Sequence, residues 1–318
     1  MSERYDLLDS AIIEVEQDAE QGEKRKYTDK EREQYGLEKQ AQRDKLYATA
    51  DETALEVAGS SDKFRKFLDL QSRINYTAQN TLLVLAQAPN ATRLRDYDHW
   101  QSRGCPVTSG PGSGIAILEP GKNYARTTDG KVATGFEVKH VFDVSQVDVR
   151  NMKPDPPMPR RTEQQLLTAL MKSSDVLIAR AGVLPDGQVT TFDRGTNSIL
   201  IRSAPFPAMF RSLAQDVALA HLSTGEQANP QFSAYCTAYM LCKKYGIDTQ
   251  EFDFSDTPAV LEGMSEQEVK GELSQIRDVF LNASKRMEEK MPQPIQEERT
   301  DKGTGNRTRT GNRHAGAR

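Results

Sequence analysis

The sequence is poor in the residues that most often bind metals or form covalent cross-links. Its 318 residues include three cysteines and four histidines. Cys236 and Cys242 are six residues apart, so on one helix they would point to different sides, and we expect buried free thiols rather than a disulfide. The histidines are scattered along the chain and indicate no metal cluster. These shortages argue against a disulfide-stabilised fold and leave no local pattern for a histidine-based metal centre.

Long apolar runs, phosphate-binding glycine motifs and a positive net charge are also absent. No apolar stretch approaches the length that crosses a bilayer, and the charged residues 1–6 lack a signal core, so we expect a cytoplasmic protein without membrane contact. Gly110, Gly112 and Gly114 precede a predicted strand and not a helix, which argues against a nucleotide-binding loop. The formal net charge of −4 argues against coating nucleic acid by bulk charge. A basic patch in the folded part must therefore be local.

Composition divides the chain into five segments. Residues 1–50 are densely charged with both signs mixed, which predicts either a long solvated helix or disorder. Residues 51–150 and 162–291 have the apolar content of folded domains. Four prolines between them predict a semi-rigid linker at 151–161. The final segment, 292–318, is rich in Gly, Thr, Asn and Arg and is predicted to be a disordered basic tail.

The first of the two predicted domains begins with helices. Phe64, Phe67 and Leu68 have the i, i+3, i+4 spacing of an amphipathic helix, which we predict at Ser61–Arg73. Thr77 is a typical cap for a second helix, and that helix must end before the proline at 89. A third, short helix is predicted from 96 to 103 and contains the single tryptophan.

Strands follow these helices, so the fold class is predicted to be α+β with a small antiparallel sheet. One strand is predicted at Ile115–Leu118, ending at Pro120, and another at Gly135–Asp143, where apolar residues alternate. His140 shares one face of that second strand with apolar side chains. We therefore expect its imidazole to be buried or half-buried in the sheet.

The second predicted domain is mostly helical with one β-hairpin. A helix is predicted to open at Thr162, and a turn at Asp193-Arg194-Gly195 separates two strand-like runs. The remaining helices are predicted at Pro207–Leu222, Pro230–Tyr245 and Ser265–Lys290. The last of them begins with the capping-box pattern of a serine followed three residues later by a glutamate.

Ordered motifs of the first domain carry a family resemblance. The stretches 75–87, 89–93, 114–120 and 141–146, together with Trp100, resemble the N-terminal domain of ArdC-type antirestriction proteins and related plasmid-transfer proteins. The resemblance spans roughly residues 61–147. It implies a domain that binds single-stranded DNA, in a protein of a conjugative or mobile element. Partners from the conjugation or restriction machinery would be consistent with that role.

The second domain is similar to the zincin-like metallopeptidase domain of the same family, but its functional positions differ. The resemblance implies His-Glu-x-x-His where this chain has Gln215-Asp216-Val217-Ala218-Leu219, and a carboxylate ligand near Tyr235. An amide is a poor zinc ligand and leucine is none. His221 lies two residues beyond Leu219, about 200° around the helix, and so cannot replace the missing imidazoles. We therefore expect a pseudopeptidase without metal or cofactor.

Binding of single strands requires cations along the phosphates and flat side chains on which bases stack. The turn at 107–113, which the resemblance implies to be lysine-rich, is glycine-rich here and supplies no side-chain charge. Trp100 could stack on a base or be a core residue, and the charged set could be an ordinary solvated face. The candidate DNA-binding residues are Arg65, Lys66, Arg73, Tyr76, Arg93, Arg95, Tyr97 and Arg103.

Three hypotheses follow. The first is an accessory or antirestriction-like protein that binds single-stranded DNA and carries a catalytically dead peptidase domain. The second is a protein-interaction scaffold that does not bind DNA, and a DNA-independent pull-down would favour it. The third is an active zinc peptidase, which stoichiometric zinc in the purified protein would indicate.

Overall fold

A computed structural model describes residues 28–108, 113–125, 132–152, 161–223 and 229–291. The predictions for residues 1–27, for the basic tail and for most of the proline-rich linker lie outside the described residues. Among the helices described, none combines the length and the apolar character needed to span a bilayer.

Helix α1, Asp29–Ala58, occupies the second half of the charged N-terminal segment. The Thr28 side chain accepts a hydrogen bond from the Glu31 amide, and the Glu31 carboxylate accepts one from the Thr28 amide. Together the two bonds form a capping box. Its C-terminal half packs on the fold through Leu46 and Ala50. The helix, one of the two structures considered for this segment, is therefore stabilised by burial of one end.

Three further helices follow at the predicted places. They are α2 (Ser61–Gln71), α3 (Ala78–Gln87) and α4 (Tyr97–Ser102), and the side chains of Ser60, Thr77 and Asp96 cap them. Each cap accepts a hydrogen bond from a backbone amide in the first turn, which would otherwise have no partner.

The first sheet has three antiparallel strands in the order β1-β3-β2. They are β1 (Leu94–Arg95), β2 (Ile115–Ala125) and β3 (Val132–Asp143). The prediction that the first long strand ends at Pro120 was wrong, since β2 continues beyond it with a shift of register. A proline is tolerated there because β2 is an edge strand.

The expected burial of His140 was also wrong. His140 is exposed, whereas its neighbour Val141 is buried and pairs with Ile115. Phe136 on the predicted apolar face is 43% exposed as well. Alternation gave the period of the strand correctly, but both faces are partly covered. Val138, on the face of His140, packs against the cluster that includes Leu46 and Ala50 of α1, whereas Val141 on the opposite face belongs to the main core.

The second sheet confirms the hairpin and adds a strand to it. Strands β5 (Thr190–Asp193) and β6 (Ser198–Ile201) are antiparallel, and β4 (Leu177–Arg180) pairs in parallel with β6. The prediction of a hairpin alone missed β4, because four residues are too few to show a periodic pattern. The α+β class is confirmed.

Helices build the rest of the second segment. They are α5 (Glu163–Ser173), α6 (Phe206–Leu222), α7 (Pro230–Tyr245), α8 (Thr257–Val260) and α9 (Glu266–Lys290). Gly246 ends α7 with a φ of 69°, a conformation that glycine adopts without strain. The capping box predicted at Ser265 is present, and Thr162 forms a second one at the start of α5.

The hydrophobic core is shared by residues from before and after the linker. The ring of Phe64 on α2 lies 5.4 Å from that of Phe232 and 5.7 Å from that of Phe254. Phe64 also belongs to one buried cluster with Phe210 and Leu273. The division into two domains remains a prediction, and the two segments are joined by apolar contact.

A polar cluster lies beside this shared core. The Tyr239 hydroxyl on α7 donates to Asp69 at 2.7 Å and accepts from the Nε of Arg65 at 3.2 Å, both on α2. Lys243 pairs with Asp69 at 2.9 Å. Burial raises the pKa of Tyr239 to about 12, so its hydroxyl keeps its proton at neutral pH.

Replacing Tyr239 by phenylalanine should lower the free energy of unfolding by about 1–2 kcal/mol, because Asp69 and Arg65 lose a buried partner while the ring remains. Urea unfolding followed by circular dichroism measures this change. Tyr97→Phe, at a hydroxyl on an exposed ring, is the matched control and should be neutral. Equal stability of the two variants would show that the cluster does not stabilise the fold.

Candidate nucleic-acid interface

Four of the eight predicted DNA-binding residues line one groove. The groove has a volume of about 300 Å³ and lies between the loop after α2 and the strand β1. Its basic side chains come from both walls. The residues that line it are Arg73, Ile74, Asn75, Tyr76, Thr92, Arg93, Leu94 and Arg95.

A buried carboxylate positions the wall that carries Arg93. Asp143, at the end of β3, accepts hydrogen bonds from the backbone amides of Thr92 at 2.7 Å and Arg93 at 2.8 Å. Burial alone would raise the pKa of Asp143. The bonds from the Arg93 and Thr92 amides and from Ser145 outweigh burial, so its pKa is lowered and it remains ionised.

The opposite wall is held by helix α9. The carbonyl oxygen of Tyr76 accepts from the Nε of Arg277 on α9 at 2.7 Å, and from Gln71 at 3.1 Å. The Tyr76 ring is half-buried, and burial together with the nearby Glu119 raises its pKa. Tyr76 thus presents a neutral aromatic ring in a fixed position at neutral pH.

Trp100 is a core residue and not a surface platform. Its side chain is fully buried, and its indole N–H donates to the carbonyl of Phe142 at 2.9 Å. The guanidinium of Arg93 lies 5.5 Å from the centre of the indole ring, a cation–π distance. Trp100 therefore contributes to the groove indirectly, because its indole ring packs against the guanidinium of Arg93.

The other four predicted residues do not line the groove. Arg65 lies in the polar cluster with Tyr239, and Lys66 is exposed on α2. Arg103 is half-buried at the end of α4. Tyr97 is 52% exposed and packs edge-on against Phe142, with ring centres 6.4 Å apart. Sequence reasoning grouped them with the groove residues because they share type and neighbourhood.

Acidic side chains limit the positive field on one side of the groove. Asp96 caps α4 directly after Arg95, and Glu119 lies close enough to Tyr76 to affect its pKa. Glu119 is itself paired with Lys139 at 2.5 Å, which offsets part of its charge. Asp96 and Glu119 therefore offset part of the positive charge beside Tyr76 and Arg95.

Gln215 and Tyr235, two positions at which the sequence predicted a degenerate metal site, line one small cavity between α6 and α7. The cavity has a volume of about 120 Å³ and is also lined by Arg211 and Glu251, which form an ion pair with each other. The Tyr235 hydroxyl accepts a hydrogen bond from the Asp253 amide at 2.7 Å. Arg211, Glu251 and Tyr235 therefore already have protein partners.

Leu219, one turn after Gln215, belongs to an apolar environment. It packs against a cluster formed by Ala218, Leu222, Ala234 and Val279. Within the described residues there is no group of three or more His, Cys, Asp or Glu side chains that could hold a metal ion. The donor set at Gln215, Leu219 and Tyr235 does not fit zinc, since none of the three side chains is a good zinc ligand.

Asp216 faces away from this cavity, towards the sheet. One carboxylate oxygen is buried without a hydrogen-bond partner, and Thr190 on β5 bonds to the side chain. Burial raises the pKa of Asp216 more than the Thr190 bond lowers it. A carboxylate whose pKa is raised on folding destabilises the folded state once it ionises.

Asp216→Asn should therefore stabilise the protein at neutral pH, by on the order of 1 kcal/mol. The folded state holds its proton to higher pH than the unfolded state. Wild-type stability from this group is thus fully present below the ordinary aspartate pKa and is lost as pH rises through the folded pKa. Denaturant unfolding from pH 4 to pH 8 should show the gain of the variant growing with pH. A constant difference across this range would contradict the assignment.

Sequence reasoning missed the basic residues that α7 and α9 bring next to the groove. A larger cavity of about 480 Å³ adjoins it, shares Arg73, Ile74 and Asn75 with it, and is also lined by Lys244 and Lys285. These lysines are some 170 to 210 residues from Arg73 in sequence. On amphipathic helices they have the pattern of an ordinary solvated face, so no local signal marks them.

In comparisons of sequence, no protein-family model and no curated protein matches this chain. The metal-free crystal structure of the antirestriction protein ArdC from plasmid R388 is similar in structure, with a TM-score of 0.53 and 12% identity. The match covers 76% of this chain and 98% of ArdC. The Mn(II)-bound structure of the same protein gives 0.47 and 12%, over 75% and 97%. The resemblance seen in the sequence is thus confirmed at the level of the fold.

Proposed function

We propose that this chain, which has the fold of ArdC, binds single-stranded DNA through the groove and acts as an accessory or antirestriction-like protein of a mobile element. The observation that carries the proposal is the convergence of Arg73, Arg93 and Arg95 around the half-buried ring of Tyr76. In a chain with a net charge of −4, such a local basic groove is what selective attraction of a polyanion requires.

The chemistry of the groove suits single strands better than duplexes. The arginines can donate to successive phosphates, and a neutral tyrosine ring offers a surface on which one unpaired base can stack. A base within a duplex is already stacked on its neighbours and cannot reach a recessed ring without being extruded. Binding should therefore favour single strands and show little base preference.

The second part of the proposal is that the zincin-like segment is a catalytically inactive scaffold. Gln215, Leu219 and Tyr235 offer no imidazole or carboxylate, so no group here would hold a metal that activates water. Elemental analysis of the purified protein should find zinc well below one equivalent. One equivalent of tightly bound zinc, with proteolysis that a chelator abolishes, would contradict this part.

A salt series of fluorescence anisotropy with single- and double-stranded oligonucleotides tests the DNA-binding proposal. We expect a dissociation constant for single strands on the order of micromolar near physiological salt, weakening as salt rises. A chain ending at Met291 should be measured alongside, because the arginines of the tail can add nonspecific contacts. Weak binding that is independent of salt, or that disappears with the tail, would argue against the groove.

A protein-interaction scaffold is the second candidate, and one feature favours it. Leu177 on the edge strand β4 is 71% exposed and Val183 is 88% exposed, so apolar side chains face solvent beside an unpaired strand edge. Partners from the restriction or conjugation machinery could pack there. Capture of such a partner after nuclease treatment, from a protein that fails the anisotropy test, would select this function.

A further inference from the structure

We infer that the path of the single strand does not end at the groove but continues across α7 and α9, where Lys285 contacts its phosphates. The inference rests on the proposed function and extends it to the zincin-like segment. Its starting point is geometric, since the groove and the larger cavity share Arg73, Ile74 and Asn75 and so form one continuous concave surface.

Helix α9 sets the direction and the reach of this extension. Arg277 on α9 contacts the Tyr76 carbonyl in the wall of the groove. Lys285 is eight residues further along the same helix, which corresponds to about 12 Å at the α-helical rise. The helix thus connects the half-buried tyrosine with a lysine that lines the larger cavity.

The charge of the joined surface is predominantly positive. Its basic side chains outnumber its single acidic one, Glu288, by five to one. Lys244 is already paired with Glu288 at 2.5 Å, and it also contacts Ser284. Lys285 is exposed and lies within the cavity lining, which makes it the extension residue best placed to meet a phosphate. The five basic residues are Arg73, Arg93, Arg95, Lys244 and Lys285.

Aliphatic and aromatic surface accompanies these cations. Phe280 and Leu281 on α9 line the cavity between the two ends of the path. Phe280 is buried, whereas Leu281 is only partly covered and packs on the edge of the core. A strand lying here would meet both cationic and apolar side chains, a combination that tolerates any base.

Length-dependent binding of the full-length protein separates this extension from the groove. Labelled oligothymidylates of about 5 and about 15 nucleotides lie near the lower and upper limits of the site sizes of single-strand binding folds. With Lys285→Ala, we expect the 15-mer to bind roughly 3- to 10-fold more weakly and its salt slope to fall by about 0.7, as for one lost phosphate contact. Binding of the 5-mer should be unchanged.

Lys172→Ala removes an exposed lysine of α5 and serves as the matched control, with no effect expected at either length. A Lys285 variant that binds the 15-mer like wild type, or that weakens both lengths equally, would overturn the extension and leave the groove intact. If the wild-type protein binds neither the 5-mer nor the 15-mer, the proposed function itself is rejected.

Discussion

Reversing the charges of Arg93 and Arg95 together is expected to weaken binding of single-stranded DNA roughly 10- to 100-fold, or about 1.4–2.7 kcal/mol. Both guanidinium groups line the groove, so each reversal removes a phosphate contact and places a repelling carboxylate there. The salt slope should become shallower at the same time, since fewer counterions are released. Anisotropy titrations at several salt concentrations measure both quantities.

The matched control makes the same change of net charge elsewhere. Arg180 on β4 and Arg194 in the β5–β6 turn are exposed and lie outside the groove lining. Their double reversal to glutamate should leave binding within about twofold, because charges beyond a Debye length of about 8–10 Å are largely screened. If this control weakens binding as much as the groove variant, the attraction comes from overall charge and not from the groove.

Replacing Trp100 by alanine should produce the largest loss of stability, about 3–5 kcal/mol. The indole is fully buried with Cys105 and Val147, and its N–H satisfies the Phe142 carbonyl, so the variant gains a cavity and an unpaired acceptor. Circular dichroism during urea unfolding measures the loss, since the intrinsic tryptophan signal is removed. DNA binding should fall with it, because Arg93 loses its support.

Tyr97→Ala is the control for Trp100→Ala, because it removes a neighbouring aromatic ring that lies at the surface and not in the core. The Tyr97 ring is about half exposed, so its truncation should cost less than about 1 kcal/mol and leave the fold intact. A Trp100 variant that unfolds like wild type yet loses binding would identify the indole as a direct contact. That result would contradict the buried position assigned to it.

Local chemistry explains why most helices were predictable. Caps at Thr77, Thr162 and Ser265 satisfy amides within one turn of themselves, so their information lies in a few neighbouring residues. Strand β4 and the burial of Val141 in place of His140 could not be read in this way. Both depend on contacts with residues far away in sequence: β4 on its pairing with β6, and Val141 on its packing in the main core.

The candidate site was predictable only in part. Basic residues close together in sequence, such as Arg93 and Arg95, were recognised and do lie in one groove. Arg65 has the same chemistry but is directed into the cluster with Tyr239, and Lys285 entered only through the packing of α9. The residue type identifies candidate DNA-binding side chains, whereas the tertiary structure decides which of these side chains face the groove.

By itself, the sequence determined the α+β class and the helix ends with their caps, because each depends on side-chain chemistry within a few residues. It also shows that the side chains at 215 and 219 are not good zinc ligands. The tertiary structure alone decided that Trp100 is core, that Arg277 fixes the Tyr76 loop, and that two concave surfaces join at Arg73. These features arise from contacts between residues distant in sequence. Their geometry is set by how the shared core packs, and no local pattern contains it.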